Sequence, residues 1–124
     1  MIAIDTSALV AYLGGASGND VDVVAMALEQ HQPVLPPVVL TEILSDHKLG
    51  ADVRAALLDL PLLNVSAGYW ERAGLLRSTV LSKHRKARVA DALIAQTCLD
   101  ASVPLVTRDR DFRHFAKSAG LVLL

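Results

Sequence analysis

Short apolar runs alternate along the chain with longer segments in which apolar residues recur at three- and four-residue steps. A continuous apolar run is typical of a strand buried on both faces of a parallel sheet, whereas the longer spacing is typical of an amphipathic helix. Strands that alternate with helices imply crossover connections and a sheet with helices on both faces. The predicted strands cover residues 1–4, 33–35, 62–65, 104–106 and 121–124. The predicted helices lie between them, at about 6–13, 20–30, 37–50, 51–60, 66–81, 89–99 and 112–119.

Turn-forming and capping residues set the ends of these helices. The glycine-rich residues 14–19 break the first helix, and Pro37 suits a first helical position. Ser66 is a candidate N-cap for the long helix that follows it. We therefore predict one α/β domain over residues 1–124, a three-layer α/β/α sandwich with a central parallel sheet of four to five strands.

The composition narrows the class of protein. At 124 residues the chain is long enough for a single core without disulfides. It is 52% hydrophobic but only 4% aromatic, so we expect a core of Ala, Val, Leu and Ile. No apolar stretch approaches the ~18 residues of a membrane span, and the chain opens as a strand rather than as a basic leader. The single cysteine, Cys98, fits a reducing compartment. We expect a cytoplasmic protein.

The formal net charge of −1 conceals a strong asymmetry. Residues 1–82 carry four Lys/Arg and nine Asp/Glu, whereas residues 83–124 carry eight Lys/Arg and four Asp/Glu. The basic residues cluster at 83–88 and 108–113, beside two of the acids discussed next. Such a cluster suits a phosphate-bearing polyanion, although a solvated loop and helix face would have the same composition.

Four acids follow predicted strands or open predicted helices: Asp5, Glu42, Asp91 and Asp109. In an open α/β sheet, ligands bind beyond the carboxyl ends of the strands, so these acids are candidates to converge there. Converged carboxylates raise one another's pKa unless a cation lies between them. The pattern therefore predicts a site for a divalent metal. The simpler alternatives are an N-cap role for Asp5 and a solvated surface position for Glu42.

Two of these acids carry further signals. Asp91 forms a helical stripe with Ile94 and Cys98, so it projects on an apolar face and requires a metal or an arginine. Asp109 and Asp111 follow a strand at a two-residue spacing. One of the two is expected to cap the next helix. We predict Asp109 as the ligand, with Asp111 as the cap or as an additional ligand.

Four short sequence motifs surround these acids. Ile2–Leu9 contains a strand followed by Asp5-Thr6-Ser7, Val39–Leu44 contains Glu42, and Asp91–Ala95 reads Asp-Ala-Leu-Ile-Ala. Leu105–Phe112 supplies a fourth motif around Asp109. Each motif alone is weak, but all four occur in order in a chain of the right size. The chain resembles PIN-domain ribonucleases, in particular the VapC-like toxins of VapBC toxin–antitoxin pairs.

The resemblance implies a metal-dependent endoribonuclease that hydrolyses RNA phosphodiester bonds and is held inactive by an antitoxin. It implies catalytic acids that bind Mg²⁺ or Mn²⁺, which agrees with hard oxygen donors and the absence of a Cys/His cluster. We also expect a homodimer. The implied metal ligands are Asp5, Glu42, Asp91, Asp109 and, as a further candidate, Asp111; Ser7 and Thr107 support them. The candidates for holding the RNA backbone are Lys83, Arg85, Lys86, Arg88 and Arg108.

Other functions remain open from the sequence. A housekeeping RNA-processing PIN nuclease would share these motifs, and so would a PIN fold that only binds RNA or protein. The intact acid set argues against the latter. A receiver-like phosphoacceptor would require a second acid beside Asp5 and a lysine after the last strand, and a haloacid-dehalogenase-type phosphatase would require an aspartate in place of Ser7.

Overall fold

The computed structural model describes every residue from Met1 to Leu124. Three short parallel strands form the centre, and seven α-helices and one 3₁₀ turn surround them. In chain order the elements are β1 (Ile2–Ile4), α1 (Thr6–Leu13), α2 (Asn19–Glu29), β2 (Pro33–Val34), α3 (Pro37–Leu44), α4 (Ala51–Leu58), α5 (Tyr69–Ser82), α6 (Val89–Ala101), β3 (Leu105–Val106), the 3₁₀ turn (Arg110–Phe112) and α7 (Arg113–Ala119).

The strand order is β2-β1-β3, which places β1 in the middle. Ala3 pairs with Val34 on one side and with Leu105 on the other, and Ile4 pairs with Val106. All three β1 residues are buried. Since successive side chains of a strand point to opposite faces, both faces of the sheet are covered. The predicted α/β class with a parallel sheet is confirmed.

The predicted number of four to five strands is too high, because the structure contains three. The two missing segments do lie beside the sheet in a parallel orientation, but each makes only one bridge, Leu35 to Leu62 and Leu105 to Leu123. On the first edge, Pro36 and Pro37 follow Leu35 and lack the N–H groups that a longer ladder would need. Leu62 is therefore left as an exposed edge contact.

Two helix ends also differ from the prediction. Helix α3 ends at Leu44 rather than near Gly50. Ser66 does not cap α5, because Gly68 occupies that position with φ of 79°, a left-handed conformation that glycine adopts at little cost. The Ser66 hydroxyl instead accepts a hydrogen bond from Arg72 Nη2. The side chain of Ser66, which the local sequence pattern predicted as the N-cap, is therefore used in a contact with Arg72 instead.

Aliphatic and alanine side chains make up most of the core, as expected, and the few aromatic residues sit at junctions. Phe112 and Phe115 are fully buried and join the 3₁₀ turn to α7. Tyr69 is also buried, and its hydroxyl donates to the Leu93 carbonyl at 2.6 Å, which ties α5 to α6. No helix is both long enough and apolar enough to cross a membrane.

We expect Tyr69→Phe to lower the free energy of unfolding by about 1–2 kcal/mol, because the variant loses a buried hydrogen bond but keeps the ring. Urea denaturation followed by circular dichroism measures the change. Tyr12→Phe is the matched control, since the Tyr12 hydroxyl has no hydrogen-bond partner in the fold. Equal stability of Tyr69→Phe and Tyr12→Phe would contradict the anchoring role.

Candidate active site

Asp5 stands at the carboxyl end of the central strand and is 4% exposed. Its side chain caps α1, and its Oδ2 accepts hydrogen bonds from Ser7 Oγ and Thr107 Oγ1, each at 2.7 Å. Thr107 reaches Asp5 because Ile4 and Val106, the residues before each, are paired in the sheet. All of these bonds go to Oδ2, which leaves Oδ1 without a protein partner. Ser7 and Thr107 thus lie where the sequence predicted supporting residues.

Glu42 lies in the second turn of α3, the helix that follows the edge strand β2. Thr6 Oγ1 donates to Glu42 Oε1 at 2.6 Å and so joins the start of α1 to this helix. Glu42 is exposed, and its Oε2 has no protein partner. This acid is therefore held by one hydrogen bond and is free to face a ligand.

Asp91 and Asp109 share one cation, Arg88. Asp91 is in the first turn of α6 and is 8% exposed, and Arg88 Nε donates to its Oδ2 at 3.3 Å. Arg88 Nη2 donates to Asp109 Oδ2 at 2.8 Å. The guanidinium group thus bridges acids that come from α6 and from the segment after β3. It is more than half exposed, so solvent can reach it.

Burial and the charges of two other acids raise the pKa of Asp91. Burial is the largest cause that raises the pKa of Asp91 to about 6, and the charges of Asp109 and Asp5 raise it further. Arg88 opposes these effects through its positive charge and its hydrogen bond. Asp91 therefore keeps its proton to a higher pH than an ordinary aspartate does.

The four acids that the sequence singled out line a single open cavity of about 240 Å³, which we call the acidic pocket. Its lining residues are Asp5, Thr6, Ser7, Glu42, Arg88, Ala90, Asp91 and Asp109. Sequence positions as distant as Asp5 and Asp109 meet because β1 and β3 are neighbours. The structure therefore brings the predicted acids together, and their catalytic role remains a prediction.

The carboxylate oxygens of the acidic pocket suit a hard divalent cation, but the acids do not all lie within reach of one ion. No three acidic, histidine or cysteine side chains are close enough together to hold an ion. Arg88 lies between Asp91 and Asp109 and separates them from a common ligand. Asp5, Glu42 and Asp91 nevertheless each keep one carboxylate oxygen free of protein hydrogen bonds. Oxygen donors of this kind are the ligands that Mg²⁺ and Mn²⁺ prefer.

Asp111 does not line the acidic pocket. Its carboxylate lies 3.5 Å from Lys86 Nζ, and its backbone N–H donates to Asp109 Oδ1 at 2.9 Å. Asp109 is thus the cap of the 3₁₀ turn. The expected division, with one acid as the cap and the other in the crevice, is wrong. Asp109 does both, because its Oδ1 accepts the capping hydrogen bond and its Oδ2 accepts from Arg88 in the acidic pocket.

The predicted RNA-binding residues fall into two groups. Lys86 and Arg88 pair with acids, and Arg108 forms an ion pair with Asp20 at 2.8 Å that also lowers the pKa of Asp20. Lys83 and Arg85 have no acidic partner; Lys83 Nζ lies 3.3 Å from Ser118 Oγ.

Arg85 is joined by Arg113, which belongs to the basic cluster at 108–113, and by two residues that the sequence analysis did not select, His114 and Lys117. The four-residue step from Arg113 to Lys117 is the signal that places those two side chains on one helix face.

The PIN-domain family model matches residues 2–118, and the chain therefore belongs to the PIN-domain family. No curated protein sequence matches the chain significantly. Among solved structures, a chain in VapBC2 from Rickettsia felis bound to a promoter DNA fragment has a TM-score of 0.70 and 20% identity, covering 100% of this chain and 98% of the other.

Two further structures have the same fold. A chain in FitAcB from Neisseria gonorrhoeae has a TM-score of 0.71 at 18% identity, covering 100% of this chain and 96% of the other. A chain in VapBC-5 from Mycobacterium tuberculosis, a member of the VapBC family of toxin–antitoxin systems, has a TM-score of 0.70 at 21% identity, covering 98% and 95%.

The raised pKa of Asp91 has a consequence for stability. In EDTA, we expect the free energy of unfolding to fall by up to about 3 kcal/mol as the pH rises from about 4 to about 6, because the folded state holds a proton that the unfolded state has released. Asp91→Asn should lack this decrease and be more stable than the wild type at pH 7. Urea denaturation across this pH range measures both effects.

Asp59→Asn, which alters an exposed acid at the end of α4, is the control and should keep the wild-type pH dependence. A wild-type stability that is flat between pH 4 and pH 6 would show that Asp91 is not protonated as described.

Proposed function

We propose that this protein is a metal-dependent endoribonuclease that acts as the VapC-like toxin of a toxin–antitoxin pair in the cytoplasm. The acidic pocket in a PIN fold is the observation that carries the proposal. Asp5, Glu42, Asp91 and Asp109 would hold Mg²⁺ or Mn²⁺. The ion would lower the pKa of a water molecule and offset negative charge as it develops on the phosphate.

The roles of the four acids follow from their surroundings. Asp5 cannot reorient easily, because two hydroxyl groups hold its Oδ2, and it therefore directs Oδ1 as a fixed ligand. Glu42 is the most exposed of the four and keeps Oε2 free, so we assign it to accept the proton of the attacking water. The oxygen of that water would form a bond to phosphorus as the bond from phosphorus to the 3′ oxygen breaks, and the 3′ oxygen would take up a proton from solvent. The products carry a 5′-phosphate and a 3′-hydroxyl.

Arg88 has a second role in this proposal. While it bridges Asp91 and Asp109, it offsets their repulsion in the protein without metal. If Asp91 and Asp109 held a divalent ion, the guanidinium of Arg88 would no longer be needed between them, and its fork of donors would suit a phosphate group of the RNA. The exposed position of Arg88 beside the cavity leaves room for its guanidinium to move.

We expect Asp5→Asn to abolish Mg²⁺- or Mn²⁺-dependent cleavage of a mixed RNA pool and to weaken Mn²⁺ binding by at least about tenfold, because it removes a charged oxygen ligand. Gel analysis of the RNA and isothermal titration with Mn²⁺ are the measurements. Asp111→Asn is the matched control. It removes the charge of a neighbouring acid outside the acidic pocket and should keep both RNA cleavage and Mn²⁺ binding.

Cleavage by Asp5→Asn equal to that of the wild type, or wild-type cleavage that persists in EDTA, would contradict this site. Mn²⁺ binding without cleavage of any RNA in the pool would favour a PIN fold that only binds RNA or protein.

The antitoxin is proposed from the comparisons and from the negative charge of the acidic pocket. The similar folds occur in VapBC and FitAcB structures, and one of these is described as a toxin–antitoxin system. An antitoxin segment that offers Arg or Lys to the acidic pocket would replace the cation that the pocket needs. A short reading frame next to this gene, whose product copurifies with the chain and stops RNA cleavage, would separate the toxin from a housekeeping RNA-processing nuclease.

We further propose a homodimer formed through an apolar groove along α5 and α6. The groove has a volume of about 780 Å³, and its lining includes Trp70, Leu81 and Val89. Trp70 is 64% exposed, which is unusual for so large an apolar side chain unless it meets a partner. Since α6 also carries Asp91, a second copy on this groove would extend the surface that surrounds the acidic pocket.

Trp70→Glu should therefore convert a dimer into a monomer, because a charge in the interface would be desolvated. Size-exclusion chromatography with light scattering measures the mass. Leu58→Glu places the same charge at an exposed leucine on α4 and should leave the mass unchanged. An unaltered mass for Trp70→Glu would exclude this groove as the interface.

A further inference from the structure

A cavity of about 260 Å³ lies between α7 and the loop that joins α5 to α6, and four side chains line it: Arg85, Arg113, His114 and Lys117. We call this cavity the basic pocket. No acidic or apolar residue lines it, and none of the four forms an ion pair. Among their side chains, Arg113 donates one hydrogen bond, from Nε to the Arg110 carbonyl at 3.2 Å. The positive charge in this pocket is therefore left without compensation by the protein.

The basic pocket adjoins the acidic pocket. Residues 83–88 run alongside the segment that follows β3, since Arg88 contacts Asp109 and Lys86 approaches Asp111. Arg85 precedes Arg88 by three residues, so their Cα atoms are at most about 11 Å apart. One flexible polyanion can thus reach both pockets.

A nucleic acid that binds beside the acidic pocket needs uncompensated cations nearby, and the basic pocket contains such cations. Without a divalent ion the carboxylates of the acidic pocket repel the phosphates of a nucleic acid, so in that state the attraction comes from cations that remain uncompensated nearby. The paired cations contribute little net charge: Lys86 is near Asp111, Arg88 is bound to Asp91 and Asp109, and Arg108 is bound to Asp20. The cations without an acidic partner in this part of the chain are Lys83, Arg110 and those of the basic pocket, and only those of the basic pocket line one cavity.

We infer that the basic pocket binds a backbone phosphate of the RNA, a few nucleotides from the bond cleaved at the acidic pocket. This inference rests on the proposed nuclease function. The arginine forks and the lysine ammonium suit phosphate oxygens. The absence of apolar lining favours a phosphate over an acidic peptide, which would also bury side chains. Contacts of this kind position the RNA and carry no sequence information.

Binding of a fluorescently labelled, short single-stranded RNA of mixed sequence tests the inference, measured by anisotropy in EDTA at several salt concentrations. We expect the double variant R85Q/R113Q to weaken binding about tenfold and to reduce the salt slope by about 1. The double variant K48Q/R54Q removes the same charge from exposed positions on the α3–α4 side and should bind as the wild type does.

Equal weakening of RNA binding by both double variants would show that only the net charge of the protein matters, and it would overturn the inference. Unchanged binding by R85Q/R113Q would also overturn it, while the nuclease proposal would stand. A wild-type chain that fails to bind RNA would count against the nuclease proposal itself. A glutamate-rich peptide that displaces the labelled RNA as well as unlabelled RNA does would assign the pocket to acidic protein segments instead.

Discussion

Mutual repulsion among carboxylates at one end of the sheet is the constraint on which the rest of the site depends. The fold offsets it differently at each acid. Hydroxyl groups from Ser7 and Thr107 hold Asp5, Arg88 bridges Asp91 and Asp109, and solvent reaches Glu42. The compensation is incomplete, since burial and neighbouring charges still raise the pKa of Asp91 to about 6. A pocket in this state attracts cations, whether a divalent ion or a side chain from a partner.

The strand order explains why these acids meet. With β1 between β2 and β3, Asp5 ends the central strand, Glu42 lies on the helix after one neighbour, and Asp109 follows the other. Only two or three residues form each strand, so the helices begin close to the sheet and carry their acids into the crevice. A very small sheet is sufficient because its function is to bring the three chain segments into register.

The basic residues of the C-terminal third serve two purposes that composition alone does not separate. Some offset acids within the protein, as Arg108 does for Asp20 and Arg88 does in the acidic pocket. Others, in the basic pocket, keep their charge available to a ligand. The proposed nuclease would need both kinds, because internal ion pairs hold segments of the fold together while only unpaired cations attract a polyanion.

The sequence by itself determined the α/β class and singled out the four acids near strand ends or helix starts, because periodicity and strand–helix boundaries are local properties. Tertiary structure alone decided the number of strands, since Leu62 and Leu123 each form a single bridge. It also decided that Asp109 rather than Asp111 is the cap, and which cations are paired. Arg108 and Asp20 are 88 residues apart in sequence, so no local pattern connects them. Ion pairing and edge pairing depend on which segments pack together, and that is fixed only when the whole chain folds.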